Sequence, residues 1–146
     1  MRPGELSSET VHATAVAIGG RAVLIMGRSG AGKSDLALRL VDRGATLVSD
    51  DQTMVVRRDG KLIATPPANL AGRMEVRGLG IVPVPHLADV EVALVVTIDA
   101  APERMPPRAA ERRIAGMAVP EVALAALEPS APIKVEMALK RLDPAQ

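Results

Sequence analysis

The sequence contains no phenylalanine, tryptophan or tyrosine, and no cysteine. Without aromatic rings the protein lacks the platforms on which single-stranded nucleic-acid bases usually stack. Without cysteine it can form neither a disulfide nor a thiolate metal site. The core must therefore be built from Val, Ile, Leu, Met and Ala, and a core of such small pieces gains burial from association with further copies.

The sequence also has no marked excess of positive or negative charge. Lys and Arg number 18 against 17 Asp and Glu, so the formal net charge is +1. This balance gives no basic footprint for nucleic acid, and we expect no nucleic-acid partner. No apolar run reaches the length of a membrane span, and the polar N-terminal stretch is unlike a signal peptide. We therefore expect a cytoplasmic protein with no membrane partner.

The residues that are present have the composition of an ordinary globular protein. Hydrophobic residues make up 48% of the 146 and charged residues 24%. A chain of this length is most simply a single domain over residues 1–146, large enough to bury a core.

The apolar runs predict a mixed α/β fold with a β-rich core. Residues 12–27 are expected to form a hairpin that turns at Gly19-Gly20, and residues 53–65 a second one that turns at Asp59-Gly60. Residues 91–99 have the composition of a buried strand.

Two helices are expected beside these strands. One covers residues 34–43 and ends at Gly44, and the other begins at Pro132. The stretch 101–113 is rich in Pro and Arg and has no clear period. It is therefore predicted to be a mobile loop, or a loop with a short helix.

The stretch GRSGAGKS, residues 27–34, fills every fixed position of the phosphate-binding pattern G-x-x-x-x-G-K-[ST]. Its main-chain N–H groups and the positive end of the following helix would cradle phosphates. Lys33 would neutralise the transferring phosphate and the Ser34 hydroxyl would bind Mg²⁺. The predicted nucleotide-binding residues are Gly27, Arg28, Ser29, Gly30, Ala31, Gly32, Lys33 and Ser34.

Two acids, Asp50 and Asp51, end the apolar run that follows the predicted helix. In an enzyme that transfers phosphate, one such carboxylate can hold Mg²⁺ or its water shell and the other can accept a proton from an attacking hydroxyl. Asp50 and Asp51 are the candidates for these two roles, in either order. Because Asp also favours turns, an ordinary turn at the strand end is the alternative.

The stretch MEVRGLGIVPV, residues 74–84, carries Glu75 and Arg77 ahead of two glycines. It resembles the signature E-x-R-G-L-G-I of bacterial HPr kinase/phosphorylase. His12, the phosphate loop and the block from Arg43 to Asp51 fall into register with that family. The sequence is similar to the family over residues 10–99 and more loosely in the C-terminal third.

This resemblance implies a P-loop-containing, HPr kinase-like catalytic domain of the PEP carboxykinase-like class. It implies a serine kinase that uses ATP or pyrophosphate with Mg²⁺ and acts on HPr or an HPr-like phosphocarrier of a bacterial phosphotransferase system. It also implies a homo-oligomer, because the kinase domains of the family assemble as hexamers.

The resemblance assigns roles to individual residues. Lys33 contacts the phosphates, and Ser34 and Glu75 bind Mg²⁺. Asp51 takes the proton from the serine hydroxyl and returns it in the reverse reaction, and His12 tunes Asp51.

A mobile loop of the family should also supply a catalytic arginine. Aligned without gaps, that residue is Arg108, with Arg104, Arg112 and Arg113 close enough to compete.

The sequence departs from the family pattern in three respects. Full-length members carry an N-terminal domain, whereas this sequence starts almost directly at the kinase domain. In this it resembles the short forms of alphaproteobacteria. Asp35 stands where the family commonly has Glu. The segments linked with the phosphorylase direction have no good match, so the kinase direction is favoured.

A non-catalytic nucleotide-binding regulator and a small-molecule kinase are the alternative functions.

Overall fold

The computed structural model describes residues 7–106 and 109–143. Within them the chain forms eleven strands and two helices. In chain order these are β1 (Ser8–Val11), β2 (Ala13–Ile18), β3 (Arg21–Met26), α1 (Lys33–Asp42), β4 (Thr46–Ser49), β5 (Thr53–Arg58), β6 (Lys61–Thr65), β7 (Arg73–Val76), β8 (Gly80–Pro83), β9 (Val90–Ile98), β10 (Ala110–Ile114), β11 (Met117–Leu124) and α2 (Ala131–Lys140).

Nine strands form one mixed sheet in which β9 is the central element. The order is β1-β5-β6-β9-β3-β2-β4, and β11 also pairs with β9 and carries β10. The pairs of β9 with β3 and with β11 are parallel, and the other pairs of this sheet are antiparallel. The first residues of β9 pair with β6 and its second half with β11. The mixed α/β fold with a β-rich core is therefore confirmed.

Both predicted hairpins are present, and each turns where its sequence indicated. Strands β2 and β3 meet at Gly19-Gly20, and β5 and β6 meet at Asp59-Gly60. All four turn residues have positive φ, between 52° and 82°. Two consecutive positive φ angles match the twist of the paired strands, which is why Gly and Asp are favoured there.

The sheet buries apolar residues on both faces, and β3 shows this most clearly. Val23 and Ile25 contribute to the cluster that includes residues of α1 and α2, while Ala22 and Leu24 contribute to the cluster on the other face. Each of these four side chains is fully buried. Alternation along one strand thus fills two core layers with aliphatic side chains alone.

The two helices contribute to the same core cluster and are joined at their surface. Helix α1 buries Leu36, Ala37 and Leu40, and α2 buries Val135 and Leu139.

Just after α1, Arg43 donates to both carboxylate oxygens of Glu136 on α2, at 2.7–3.1 Å. This hydrogen-bonded pairing raises the pKa of the Arg43 guanidinium and fixes the end of one helix to the other.

The prediction of a loop over 101–113 is wrong at its end. Residues from Ala110 belong to β10, which pairs with β11 in antiparallel register. Strand β11 was not predicted, and neither was the separate β7–β8 hairpin within residues 73–83. Charged side chains interrupt the apolar alternation of β10, so its pairing depends on a partner strand that the local pattern does not reveal.

Among the described residues, neither helix is long and apolar enough to cross a membrane.

Removing the Leu40 side chain tests how α1 is held on the sheet. Leu40 is fully buried, so Leu40→Ala is expected to lower the free energy of unfolding by about 2–5 kcal/mol. Leu38→Ala is the matched control on the same helix, because Leu38 is 37% exposed and should cost clearly less. Urea unfolding followed by far-UV circular dichroism measures both. Equal losses would contradict this packing of α1.

Candidate active site

The predicted phosphate loop, residues 27–34, connects the end of β3 to the start of α1. The Lys33 ammonium donates to the carbonyl oxygens of Gly27 at 2.8 Å and Arg28 at 3.2 Å. The Lys33 side chain is almost wholly buried, with 5% exposure. The loop therefore closes around its own lysine, and the main-chain N–H groups at the start of α1 face the space in front of it.

Two glycines of this loop are required by its shape. A Cβ at Gly27 would lie 3.2 Å from the Cβ of Ile98, closer than side chains normally pack. Gly32 caps α1 with φ 103°, a conformation that side chains with a Cβ rarely adopt. Both glycines of the sequence pattern are therefore required for local steric reasons.

The Asp50 carboxylate is the most heavily bonded group beside the loop. Its Oδ1 accepts hydrogen bonds from the hydroxyls of Ser34 at 2.6 Å and Thr14 at 3.1 Å. Its Oδ2 accepts one from the main-chain N–H of Glu75 at 2.8 Å. Asp50 is buried, and a buried carboxylate needs such hydrogen-bond donors. Asp50 therefore ties the phosphate loop, β2 and β7 together.

The Asp51 side chain, unlike that of Asp50, is mostly exposed. Its backbone has φ 67°, in the left-handed region, and its N–H donates to the Thr14 hydroxyl at 3.0 Å. Its side chain is 58% exposed and lies with Oδ1 3.7 Å from Nδ1 of His12. His12 lies between β1 and β2 and is 62% exposed. An exposed carboxylate beside an imidazole can exchange a proton with a substrate.

The β7–β8 hairpin supplies the opposite wall of the site. Glu75 lies on β7, and Arg77 follows in the turn. Together with the loop and Asp51 they line a cleft of about 700 Å³. Its lining residues are Ser29, Gly30, Gly32, Lys33, Ser34, Asp35, Leu38, Asp51, Glu75, Val76, Arg77, Gly78, Gly80 and Leu127.

The oxygen donors of this region suit Mg²⁺. Ser34 offers a hydroxyl, and Asp50 and Glu75 offer carboxylates, which are the hard ligands that Mg²⁺ prefers. Within residues 7–106 and 109–143, no three His, Cys, Asp or Glu side chains are grouped so that they could hold a metal by themselves. This donor set fits an ion held jointly by protein and phosphate oxygens.

Of the candidate arginines, Arg104, Arg112 and Arg113 do not line the cleft. Arg108 lies outside the described residues. Arg112 pairs with Glu121 at 3.0 Å, and Arg113 donates to the Gly116 carbonyl at 2.8 Å. Arg104 is exposed. The prediction of Arg108 therefore stays a prediction.

Thr14 is the site residue that sequence reasoning missed. It is fully buried in β2 and touches both acids through its hydroxyl. The available signal was a single hydroxyl in a strand of otherwise small and apolar residues, since a buried hydroxyl requires hydrogen-bond partners.

Residues 5–137 match the family model described as the HPr serine kinase C-terminal domain. The chain belongs to this family. Its assignment to the HPr kinase-like fold class is thereby confirmed.

Relatives and a solved structure agree with that assignment. The HPr kinase/phosphorylase of Clostridium tetani is 46% identical over 57% of this chain, and that of Limosilactobacillus reuteri 37% identical over 80%. The HPr(Ser) kinase/phosphatase structure from Coxiella burnetii superposes with a TM-score of 0.80 at 30% identity, covering 91% of this chain and 89% of that one. The matches span 28% and 40% of the two curated relatives.

Replacing Lys33 tests whether the loop binds phosphate. Lys33→Ala removes the ammonium and its charge-assisted hydrogen bonds, so the Kd for Mg·ATP is expected to rise by about tenfold or more. Isothermal calorimetry is suitable because the protein has no tryptophan to report binding.

Lys61→Ala provides the control for the lost positive charge. Lys61 lies 3.9 Å from Glu91 and is 61% exposed, and it does not line the cleft. Its removal should leave the affinity unchanged. A folded Lys33→Ala protein with normal affinity would show that the nucleotide binds elsewhere.

Proposed function

We propose that this protein transfers the γ-phosphoryl group of ATP to a serine hydroxyl of HPr or an HPr-like phosphocarrier protein. One observation carries the proposal. A complete phosphate loop and an exposed carboxylate, Asp51, line the same cleft. A protein that only sensed nucleotide would need the loop and would have no use for the base.

The loop would bind the phosphate chain of the nucleotide. Main-chain N–H groups of the loop would donate to the phosphates, and the positive end of α1 would support their negative charge. Lys33, now bonded to two carbonyl oxygens, would turn its ammonium to the transferring phosphate. Since the ammonium is buried, water screens its charge little.

Asp51 would act as the general base. The serine oxygen forms the new bond to phosphorus, the bond from phosphorus to the β,γ-bridging oxygen breaks, and ADP leaves. The serine proton passes to the Asp51 carboxylate. His12, 3.7 Å from that carboxylate, would orient it.

Mg²⁺ belongs to the same proposal. When bound, it would neutralise charge on the phosphate oxygens. Ser34 and Glu75 are its proposed protein ligands, and Asp50 would accept from the Ser34 hydroxyl or from metal-bound water. The three hydrogen bonds that Asp50 already accepts favour this supporting role over direct ligation.

The acceptor is inferred from the family. The relatives from Clostridium tetani and Limosilactobacillus reuteri are named HPr kinase/phosphorylase, which supports a carrier of the HPr type. Pyrophosphate is the alternative donor to ATP. The reverse, phosphorylase reaction would use the same Asp51 as acid. The single domain and the cytoplasmic location stay predictions.

Asp51→Asn tests the proposed base. Asn also tolerates the left-handed backbone, so the variant should keep the local fold and lose only the proton acceptor. Phosphate transfer is expected to fall by about 10²–10⁴-fold while the affinity for Mg·ATP is nearly unchanged. The assay follows labelled ATP with purified HPr-like carriers and maps the phosphate by mass spectrometry.

Asp50→Asn is the matched comparison. An amide cannot accept at both of its ends, so this variant should lose a buried hydrogen bond and change thermal stability and nucleotide affinity as well as rate. Full transfer by Asp51→Asn would overturn the base assignment. Wild-type protein that binds ATP and modifies no carrier would favour the regulator instead.

Assembly is a separate part of the proposal. A homo-oligomer, with a hexamer as the family's form, would give this aliphatic core additional burial. Light scattering at micromolar concentration should therefore give a mass that is a multiple of 15.2 kDa. A strictly monomeric protein would contradict assembly and leave the fold assignment intact.

A further inference from the structure

Thr14 lies at the centre of the hydrogen bonds that join the two acids. It is fully buried on β2, between Ala13 and Ala15, which are also fully buried. Its hydroxyl donates to Oδ1 of Asp50 at 3.1 Å and accepts from the N–H of Asp51 at 3.0 Å. One hydroxyl thus uses its donor on one acid and its acceptor on the other.

The two bonds have different consequences for the two acids. The Asp50 carboxylate is also held by the Ser34 hydroxyl and the Glu75 N–H. The Asp51 side chain is mostly exposed, so its direction depends on a backbone that must be held in the left-handed region. The bond from its N–H to a buried, immobile hydroxyl supplies that constraint.

We propose that Thr14 is a positioning residue, which fixes the Asp51 backbone so that the carboxylate meets the acceptor hydroxyl. This inference rests on the proposed function, since it concerns the same transfer. Thr14 does not line the cleft and acts through Asp51. A displacement of about 1 Å at a reacting group can reduce the rate of an enzyme by about 10²-fold.

Two substitutions at Thr14 separate the hydroxyl from the volume of the side chain. Thr14→Val keeps the shape and loses both hydrogen bonds, and Thr14→Ser keeps the hydroxyl. We expect Thr14→Val to lower kcat for carrier phosphorylation by about tenfold or more, with the Kd for Mg·ATP changed by less than about threefold. Thr14→Ser should recover most of the lost rate.

Thr53→Val is the control for a purely structural role. Thr53 is also fully buried, and its hydroxyl donates to the Ala13 carbonyl at 2.9 Å. The variant therefore loses a buried hydrogen bond close to Thr14 without touching either acid. Its thermal stability should fall while kcat stays near the wild-type value.

A measurement without any substrate separates this inference from the proposed function. In the free protein, the amide proton of Asp51 should exchange with solvent faster in Thr14→Val than in wild type, and its NMR chemical shift should move. Thr14→Ser should keep both near wild type. An unchanged Asp51 amide in Thr14→Val would overturn the positioning role, whatever the protein phosphorylates.

The kinetic outcomes are equally distinct. If Thr14→Val and Thr53→Val lower kcat equally, the effect reflects general destabilisation and the inference fails. If wild type phosphorylates no HPr-like carrier, the proposed function fails, and the amide measurement still decides whether Thr14 fixes Asp51.

Discussion

The site depends on one buried carboxylate. Asp50 accepts hydrogen bonds from the Ser34 hydroxyl, the Thr14 hydroxyl and the Glu75 N–H, so it joins α1, β2 and β7 at a single point. Without these donors a buried carboxylate would destabilise the folded protein. The two walls of the cleft, the phosphate loop and the β7–β8 hairpin, are therefore held in register by the same group.

The sheet explains why these residues meet. β2 and β3 form a tight hairpin, and β4 pairs with β2, so residues after β3 and after β4 emerge at the same end of the sheet. The phosphate loop follows β3, and the two acids follow β4. The small β7–β8 hairpin lies outside the main sheet, and the bond from its Glu75 N–H to Asp50 closes it over that end.

The sequence predicted the local features of this arrangement and missed those that depend on distant partners. Both hairpins were predictable because Gly19-Gly20 and Asp59-Gly60 need positive φ, and the phosphate loop because its pattern is complete. Strand β10 was missed because Arg112 interrupts the apolar alternation and is paired with Glu121 on β11. Thr14 was missed because its partners are 36 and 37 positions away, a separation that no local pattern encodes.

Two adjacent acids can serve different purposes here because the backbone turns sharply between them. Asp50 is directed into the protein, where three donors fix the position of the carboxylate. Asp51, with its left-handed φ, is directed outward beside His12, and its side chain is mostly exposed. A different backbone conformation at Asp51 would change the directions of both its N–H group and its carboxylate. The bend is thus as necessary to the proposed chemistry as the acid itself, and it explains why an Asn, which keeps the bend, is the informative substitution.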